Sequence, residues 1–319
     1  MNTTSNGSSD SIPLNSTAEK IGKTFAYILI SVVSLVGNSL IAMIVFKTKT
    51  LRKPVDLFIV NMAMSDLLYP IFLFPSELTK LYADSWLIRG PLGQALCKLH
   101  PFIADASSAV SVQSLVLIAV DRVGAVVFPL RYPLISSKMC HFFILVTWIV
   151  AMSVYSPYLF ALKLVDLQKK LYCEMRWNED FRLSSSPENY FLAVIVISFH
   201  IPIALVIILY SIIFTKIKSQ KIPGEQSVNA DQRRERRNRK VLKMAIVIVL
   251  GFTLCWLPFS IITLRRLFAR DSRLVDYWSI TRILAFSNCA INPCICFVFN
   301  GNYRRGLKRL LKCFDSEQE

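Results

Sequence analysis

The segment "LGFTLCWLPFSIITLRRLF", residues 250–268, is apolar enough to lie inside a lipid bilayer, although a proline interrupts its middle. Pro258 removes one backbone hydrogen bond and bends a helix, and Trp256 lies two residues before it. Arg265 and Arg266 follow near the end of the segment, where a helix would leave the hydrocarbon. The segment therefore indicates a membrane-spanning helix with a kink, in a bundle that can repack.

The rest of the chain has the composition of a membrane protein. Of its 319 residues, 54% are hydrophobic, and about 20 consecutive apolar residues are needed to cross the hydrocarbon core of a bilayer. The chain therefore predicts an all-α membrane protein, a seven-transmembrane helix bundle with a short amphipathic cytoplasmic helix at its end. The seven predicted spans are Lys23–Phe46, Val55–Leu81, Gln94–Val127, Cys140–Leu164, Tyr190–Lys216, Val241–Leu267 and Leu274–Phe299.

Three parts follow from these spans, namely residues 1–22, 23–299 and 300–319. The first part has no apolar signal-peptide core but contains three Asn-x-Ser/Thr sequons, which predict glycosylation at Asn2, Asn6 and Asn15. Lys and Arg predominate in the segments that would then face the cytoplasm. Both signals predict a multi-pass plasma-membrane protein with an extracellular amino terminus.

The net charge of +16 does not indicate a nucleic-acid-binding protein, because the basic residues lie in short segments between apolar spans. After the last span, "NYRRGLKRLLKCF" alternates leucines with basic residues at helical spacing. It predicts an amphipathic helix on the inner membrane surface, in contact with membrane lipids, with Cys313 as a palmitoylation site. Of eight cysteines, two lie on the predicted outer side, Cys97 and Cys173, and we expect them to form a disulfide.

Asp66 is the one acidic residue near the middle of a predicted span, where an ionisable group is costly. Polar residues on other spans could face it: Asn38, Ser111, Asn288 and Asn292. The oxygen atoms of such a set suit a sodium ion better than a divalent one, since only one formal charge is present. A hydrogen-bonded network without an ion explains the same residues equally well. No other cofactor is expected.

Two helix faces point toward a site that opens to the outside. Trp256, Phe259, Thr263 and Arg266 recur at three- and four-residue spacing on the sixth span. Trp278, Arg282 and Phe286 share a face of the seventh. Aromatic residues of this kind are also common in cores, but an arginine about two turns inside a span needs a partner.

In this order and spacing, the motifs resemble those of the rhodopsin-like (class A) G protein-coupled receptors. The similarity covers nearly the whole chain, through "GNSL", "NMAMSD", Cys97, "DRV", Trp148, "FTLCWLP", "NPCIC" and "NYRRGLKRLL". It implies a Cys97–Cys173 bridge, a sodium-linked cluster at Asp66, and a ligand-driven two-state bundle that couples to a heterotrimeric G protein and to arrestin. The implied activation switch comprises Asp121, Arg122, Tyr210, Phe252, Trp256, Pro258, Asn292, Pro293 and Cys296.

Within that family, the chain looks most like a neuropeptide receptor. Ala104 replaces the aspartate of amine receptors, the seventh span has no lysine for a retinal Schiff base, and "LCKLHPFIADASSAVSV" is similar to the third helix of peptide receptors. The expected ligand is an extracellular peptide, with a lipid or other small molecule as the alternative. The expected contacts are Glu77, Ala104, Asp105, Ser108, Phe259, Thr263, Arg266, Trp278, Arg282 and Phe286. Glu77 could instead pair internally with Arg282.

The chain departs from the family pattern at Val123 and Cys296, where tyrosines are usual, and at Asn238, where an acid often faces Arg122. A thiol cannot replace a phenol in a water-bridged contact with Tyr210. These departures predict a less firmly held inactive state, or a decoy receptor that binds without coupling. Arg122 and Leu130 are the expected contacts with the G protein, and the Leu130 side chain is expected to enter it. A transporter is the less favoured alternative, and the chain carries no constellation of enzymatic residues.

Overall fold

The computed structural model describes residues 13–48, 51–83, 85–130, 133, 135–177, 187–219, 228–269 and 275–316. Seven helical segments are long and apolar enough to cross a membrane, which confirms the predicted bundle. Some of these segments consist of two consecutive helices. The helices are Pro13–Lys47, Pro54–Ala83, Gly90–Val127, Ser137–Tyr155, Tyr158–Ala161, Pro187–Ile195, Ile201–Ser219, Val228–Ala269, Val275–Phe286, Asn288–Phe299 and Gly301–Ser316. A π-helical turn, Val196–His200, interrupts the fifth span, and a turn at Ser287 interrupts the seventh.

The third span is the central one, since it packs against the second, fourth and fifth spans. A continuous core joins the spans toward the side that the sequence predicts to face the cytoplasm, with Phe58, Ile118, Phe252 and Cys296 among its buried members. This predicted cytoplasmic side is called the inner side below, and the opposite side is called the outer side. The opposite faces of the helices carry exposed apolar side chains such as Leu254. In a bilayer these faces contact lipid, so their exposure is expected.

Several helix boundaries differ from the sequence-based expectation, and the sixth helix begins at Val228 rather than Val241. The first helix begins at Pro13 rather than Lys23, so it includes part of the predicted polar tail. The fourth helix ends at Tyr155 instead of continuing to Leu164. Pro157 follows this end, and a proline has no backbone N–H with which to continue the helical hydrogen bonds.

A two-stranded antiparallel hairpin, which the sequence analysis missed, follows the fourth span. Strand β1 is Leu162–Leu167 and β2 is Lys170–Met175. The predicted disulfide is present and ties Cys173 of β2 to Cys97 of the third span. The Gln94 side chain also holds β1, because its Nε2 donates to the Leu162 carbonyl at 3.1 Å and its Oε1 accepts from the Leu164 N–H at 2.9 Å. The hairpin is therefore fixed to the outer end of the third span.

The terminal helix, Gly301–Ser316, is amphipathic as predicted and packs against the first and seventh spans. Tyr303 and Leu310 are buried against the bundle, whereas Leu311 is exposed. Gly306 permits this packing, because a Cβ at that position would collide with the side chain of Ile44. The terminal helix is thus held close to the inner end of the first span.

Candidate functional site

The outer half of the bundle contains a buried ion pair. The Arg282 guanidinium on the seventh span lies 2.9 Å from the Glu77 carboxylate on the second. Lys80 also lies 3.1 Å from Glu77, and the Tyr27 hydroxyl donates to the same carboxylate at 3.5 Å. Because Glu77 is only 8% exposed, the pair satisfies two charges that would otherwise be costly inside the bundle. Of the two interpretations that the sequence left open, the structure therefore contains the internal pair.

Aromatic rings enclose the arginine of this pair. The Arg282 guanidinium carbon lies 4.8 Å from the centroid of the Trp278 ring and 5.4 Å from that of Phe286. Arg266 approaches the same Trp278 ring, at 5.0 Å. Each distance is within the range of a cation–π interaction. Trp278 therefore joins the two arginines that the sequence analysis singled out on different spans.

Two further charges near this cluster have no ion-pair partner among the described residues. Asp105 on the third span is half-buried and accepts a hydrogen bond from Tyr158, but no described cation lies within salt-bridge distance. Arg266 is half-buried, and its guanidinium lies over the Trp278 ring without an ion pair to any described residue. Asp105 and Arg266 therefore bring opposite charges to the outer half of the bundle without forming an ion pair there, and Asp105 interacts electrostatically with Arg282.

The remaining predicted ligand contacts are distributed around the same region. The Thr263 hydroxyl is buried without a hydrogen-bond partner in the described part of the chain, and Phe259 stacks obliquely on Trp278 at 6.1 Å between centroids. Ala104 is fully buried and packs among Tyr and Phe side chains, and Ser108 is 6% exposed. Ala104 and Ser108 are therefore buried beside Asp105 on the third span.

Below this region, the Trp256 indole lies in an aromatic stack. The centroid of its ring lies 3.9 Å from the ring centroid of Phe199, 6.0 Å from that of Phe252 and 5.9 Å from that of Phe259. Trp256 is 5% exposed, and its Nε1 donates no hydrogen bond to a described residue. Pro258 lies inside the sixth helix, two residues further out. Packing therefore holds the indole without a hydrogen bond to any described residue, next to the helix position that proline weakens.

Asp66 lies in a buried polar cluster that includes residues of the first, second and seventh spans. The carboxylate is 3% exposed and accepts a hydrogen bond from Asn292 Nδ2 at 2.8 Å. Ser34 donates to the Asp66 carbonyl at 3.0 Å, and Asn38 donates to Ser34 and to the Cys289 carbonyl. Asn288 is buried nearby on the seventh span.

Two oxygen atoms of this region lack partners. The Ser111 hydroxyl lies close enough to interact with Asp66 but, like Asn38 Oδ1, makes no standard hydrogen bond within the described residues. A carboxylate beside an unpaired hydroxyl oxygen is a donor set that suits a monovalent cation. The residues present therefore fit a sodium ion.

At the inner end, Arg122 pairs with its neighbour Asp121, which is 1% exposed. Tyr210 is 9% exposed and packs with Val123, which stands where the family usually has tyrosine. Leu130 is 99% exposed beyond the end of the third helix. The paired arginine is thus covered while the predicted G-protein contact is open.

Cys296 has a neighbour that the sequence analysis missed. Cys296 is 1% exposed and Tyr303 of the terminal helix is fully buried in the same core cluster. The Tyr303 hydroxyl lies beside Cys296 and Asp56, and its burial raises the pKa of the phenol above its ordinary value. The phenol of Tyr303 therefore lies beside Cys296, the position at which the family usually has a tyrosine. The spacing of Tyr303, Leu307 and Leu310 on one helical face was the signal that could have revealed it.

Several predictions concern parts that the structure does not describe. Asn2 and Asn6 lie outside the described residues. Asn15, Asn238 and Cys313 lie in helices, but their side chains are not described. Glycosylation and palmitoylation at these positions stay predictions.

Comparison with known proteins agrees with the geometry. A family model described as "7 transmembrane receptor (rhodopsin family)" matches residues 37–295. The chain is 31% identical to a "QRFP-like peptide receptor" of Branchiostoma floridae, over 90% of this chain and 76% of that protein. It is 32% identical to the "RYamide receptor" of Drosophila melanogaster, over 89% and 62%. It is 33% identical to the human "Neuropeptide FF receptor 1", over 89% and 68%.

Proposed function

The chain belongs to the rhodopsin family of seven-transmembrane receptors, and on this basis we propose that it binds an extracellular peptide and activates a heterotrimeric G protein. The observation that carries the peptide proposal is a pair of opposite charges in the outer half that form no ion pair with a described residue, Asp105 and Arg266. They belong to different spans and have opposite sign. A ligand that satisfies both needs a cationic group and a carbonyl or carboxylate group, which a peptide combines in one molecule. The relatives named for peptides support the same class of ligand.

The Glu77–Arg282 pair has a different role in this proposal. Removing one partner of a buried ion pair costs about 3–5 kcal/mol, because the other charge is left uncompensated. A ligand that displaced Glu77 from Arg282 would have to replace that interaction. We therefore assign Glu77 and Arg282 to joining the second span to the seventh, and Asp105 and Arg266 to ligand recognition.

Ligand binding reaches the inner face through the sixth span. Arg266, Thr263, Phe259 and Trp256 lie along that helix on both sides of Pro258. A ligand that pulls on Arg266 or Phe259 acts on the Trp256 stack, which no hydrogen bond to a described residue holds. Since proline weakens the helix there, movement of its inner part is the proposed route to Arg122 and to the G protein. Arrestin would use the same inner face.

The orientation in this proposal has the amino terminus outside. The three sequons and the excess of basic residues in the inner segments support it. The hairpin and the Cys97–Cys173 disulfide then lie on the extracellular side, where the environment is oxidising. This side also carries the outer cluster, so a secreted peptide would reach it without crossing the membrane.

A sodium ion is part of the proposed resting state. Asp66 and Ser111 would hold it, with Asn292 fixing the carboxylate. A bound cation supplies positive charge that stabilises the buried carboxylate. Replacing choline chloride with sodium chloride should then raise the thermal midpoint of the purified receptor, and the Asp66→Asn variant should lose this response. An equal response in both proteins would contradict the site.

The receptor proposal is tested by expressing the chain in cells and screening a library of amidated and free-acid peptides with calcium and cyclic-nucleotide readouts. A peptide that gives a saturable response supports it. A peptide that binds at the cell surface without any response indicates a decoy. Activation by lipids, with no peptide response, would contradict the peptide assignment.

A further inference from the structure

A second polar site lies on the inner side, away from the outer cluster and the G-protein contact. It is a cavity of about 310 Å³ between the loop after the first span and the terminal helix. Its polar lining consists of Thr48, Lys53, Asn302, Arg305 and Arg309. Three of these five side chains are cationic and none is acidic. Such a lining has the charge of an anion site.

The terminal helix arranges its contribution on one face. Asn302, Arg305 and Arg309 are spaced by three and four residues, so their side chains lie one above another. Arg305 donates to the Asn302 side chain at 2.6 Å, which orients its guanidinium. Neither arginine, nor Lys53, forms an ion pair with a described residue. Neighbouring like charges on a helix repel, so this arrangement is unfavourable until an anion lies between them.

The opposite wall is held at a fixed distance. Gly306 lies on the same face and lets the helix approach Ile44, where any larger residue would collide. On the loop, Lys53 begins the second helix and its backbone N–H donates to Asp56 at 3.2 Å. Asp56 is 5% exposed and does not line the cavity. The cavity is therefore a cleft between two walls, and contacts within the protein hold each wall in place.

We propose that this cleft binds the phosphorylated headgroup of an inner-leaflet lipid of the phosphoinositide type. A guanidinium group can donate two hydrogen bonds to the oxygen atoms of one phosphate. Arg305 and Arg309 lie on one face of the terminal helix, and Lys53 lies on the opposite wall of the cleft. The same helix exposes Leu311, at 55%, on its apolar side, so the helix lies at the level where headgroups meet acyl chains. The lipid then joins the terminal helix to the first inner loop.

The experiment uses the full receptor in nanodiscs of phosphatidylcholine. Fluorescent phosphatidylinositol 4,5-bisphosphate is titrated into three proteins: the wild type, the Arg305→Gln/Arg309→Gln variant, and the Arg304→Gln/Lys308→Gln variant. The control variant removes the same charge from the same helix but outside the cleft. The expected result is saturable binding that weakens at least tenfold in the first variant and is unchanged in the control. Phosphatidylserine at matched charge should not compete.

Equal loss of binding in both variants, competition by phosphatidylserine, or unchanged binding in the Arg305/Arg309 variant would overturn the proposal. A competition assay with soluble inositol 1,4,5-trisphosphate distinguishes a lipid headgroup from a soluble phosphate as the ligand. If it competes only at much higher concentration than the lipid, the membrane supplies the ligand. If it binds as tightly as the lipid, the lipid assignment is overturned and the cleft is a site for a soluble phosphate. Circular dichroism of each variant excludes loss of the fold as the cause.

Discussion

The Glu77 carboxylate and the Arg282 guanidinium lie 2.9 Å apart and connect the second span to the seventh inside the outer half of the bundle. The other neighbours of Arg282, Trp278 and Phe286, are aromatic rings that cannot neutralise its charge fully. The stability of this end of the receptor should therefore depend on both members of the pair. Asp105 and Arg266, which form no ion pair with a described residue, should instead determine which ligand binds.

Glu77→Gln should destabilise the receptor by about 3–5 kcal/mol, because it leaves the buried Arg282 without its ion-pair partner. Arg282→Gln should cost less, because Lys80 still lies 3.1 Å from Glu77. The double variant should be less destabilised than the sum of the two single changes. Thermal unfolding of the purified protein measures this, with Arg89→Gln as control, since the Arg89–Asp166 pair at 3.8 Å is exposed. Purely additive effects would show that the two residues do not interact.

Asp105→Asn should weaken a cationic peptide agonist without affecting expression. A hydrogen bond to a charged group contributes about 1.5–3 kcal/mol, so the potency should fall roughly ten- to hundredfold. Arg266→Gln should weaken the same agonist, and the loss should vanish for an analogue that lacks the interacting carbonyl or carboxylate. Dose–response curves test both, with the exposed outer residue Asp166→Asn as control. Unchanged potency in the Asp105 variant would remove this residue from the ligand site.

Cys296→Tyr should change ligand-independent signalling, as the sequence predicts, but the structure adds a steric condition. Cys296 and Tyr303 are both buried in one cluster, so a second phenol overfills it at a cost of about 1–3 kcal/mol. The exchange variant Cys296→Tyr/Tyr303→Cys conserves the volume and should recover surface expression. Basal calcium and cyclic-nucleotide levels are compared with those of untransfected cells. Wild-type basal signalling equal to that of untransfected cells would contradict the loosely held inactive state.

Hydropathy and motif spacing were enough to predict the seven spans, the disulfide and the amphipathic terminal helix. The hairpin was missed for a specific reason. Its turn residues, Gln168 and Lys169, both adopt positive φ angles of 51° and 69°. Hairpin turns of this kind usually contain Asn-Gly or Asp-Gly, whereas the turn here contains Gln168 and Lys169. Nothing local therefore marked β1 and β2.

The pairing of Glu77 with Arg282 could be named from the sequence only as one of two alternatives. Both side chains were expected near the outer end, but whether they meet depends on how the second and seventh helices are rotated about their axes. That rotation is set by packing over the whole length of each helix. The same limit applies to Tyr303, whose contact with Cys296 requires the chain to turn at Asn300. Local sequence patterns therefore could not predict which side chains of different helices meet.

The most direct measurement of receptor function is nucleotide exchange by a purified heterotrimeric G protein with the chain in nanodiscs, in the presence and absence of an agonist peptide. The wild type should accelerate exchange when the peptide is bound. Leu130→Asp should abolish this acceleration while peptide affinity is unchanged, because the 99% exposed side chain would no longer enter an apolar pocket of the G protein. Leu130→Val should retain it. Peptide-bound wild type that leaves exchange at its basal rate would contradict the assignment of this chain as a coupling receptor.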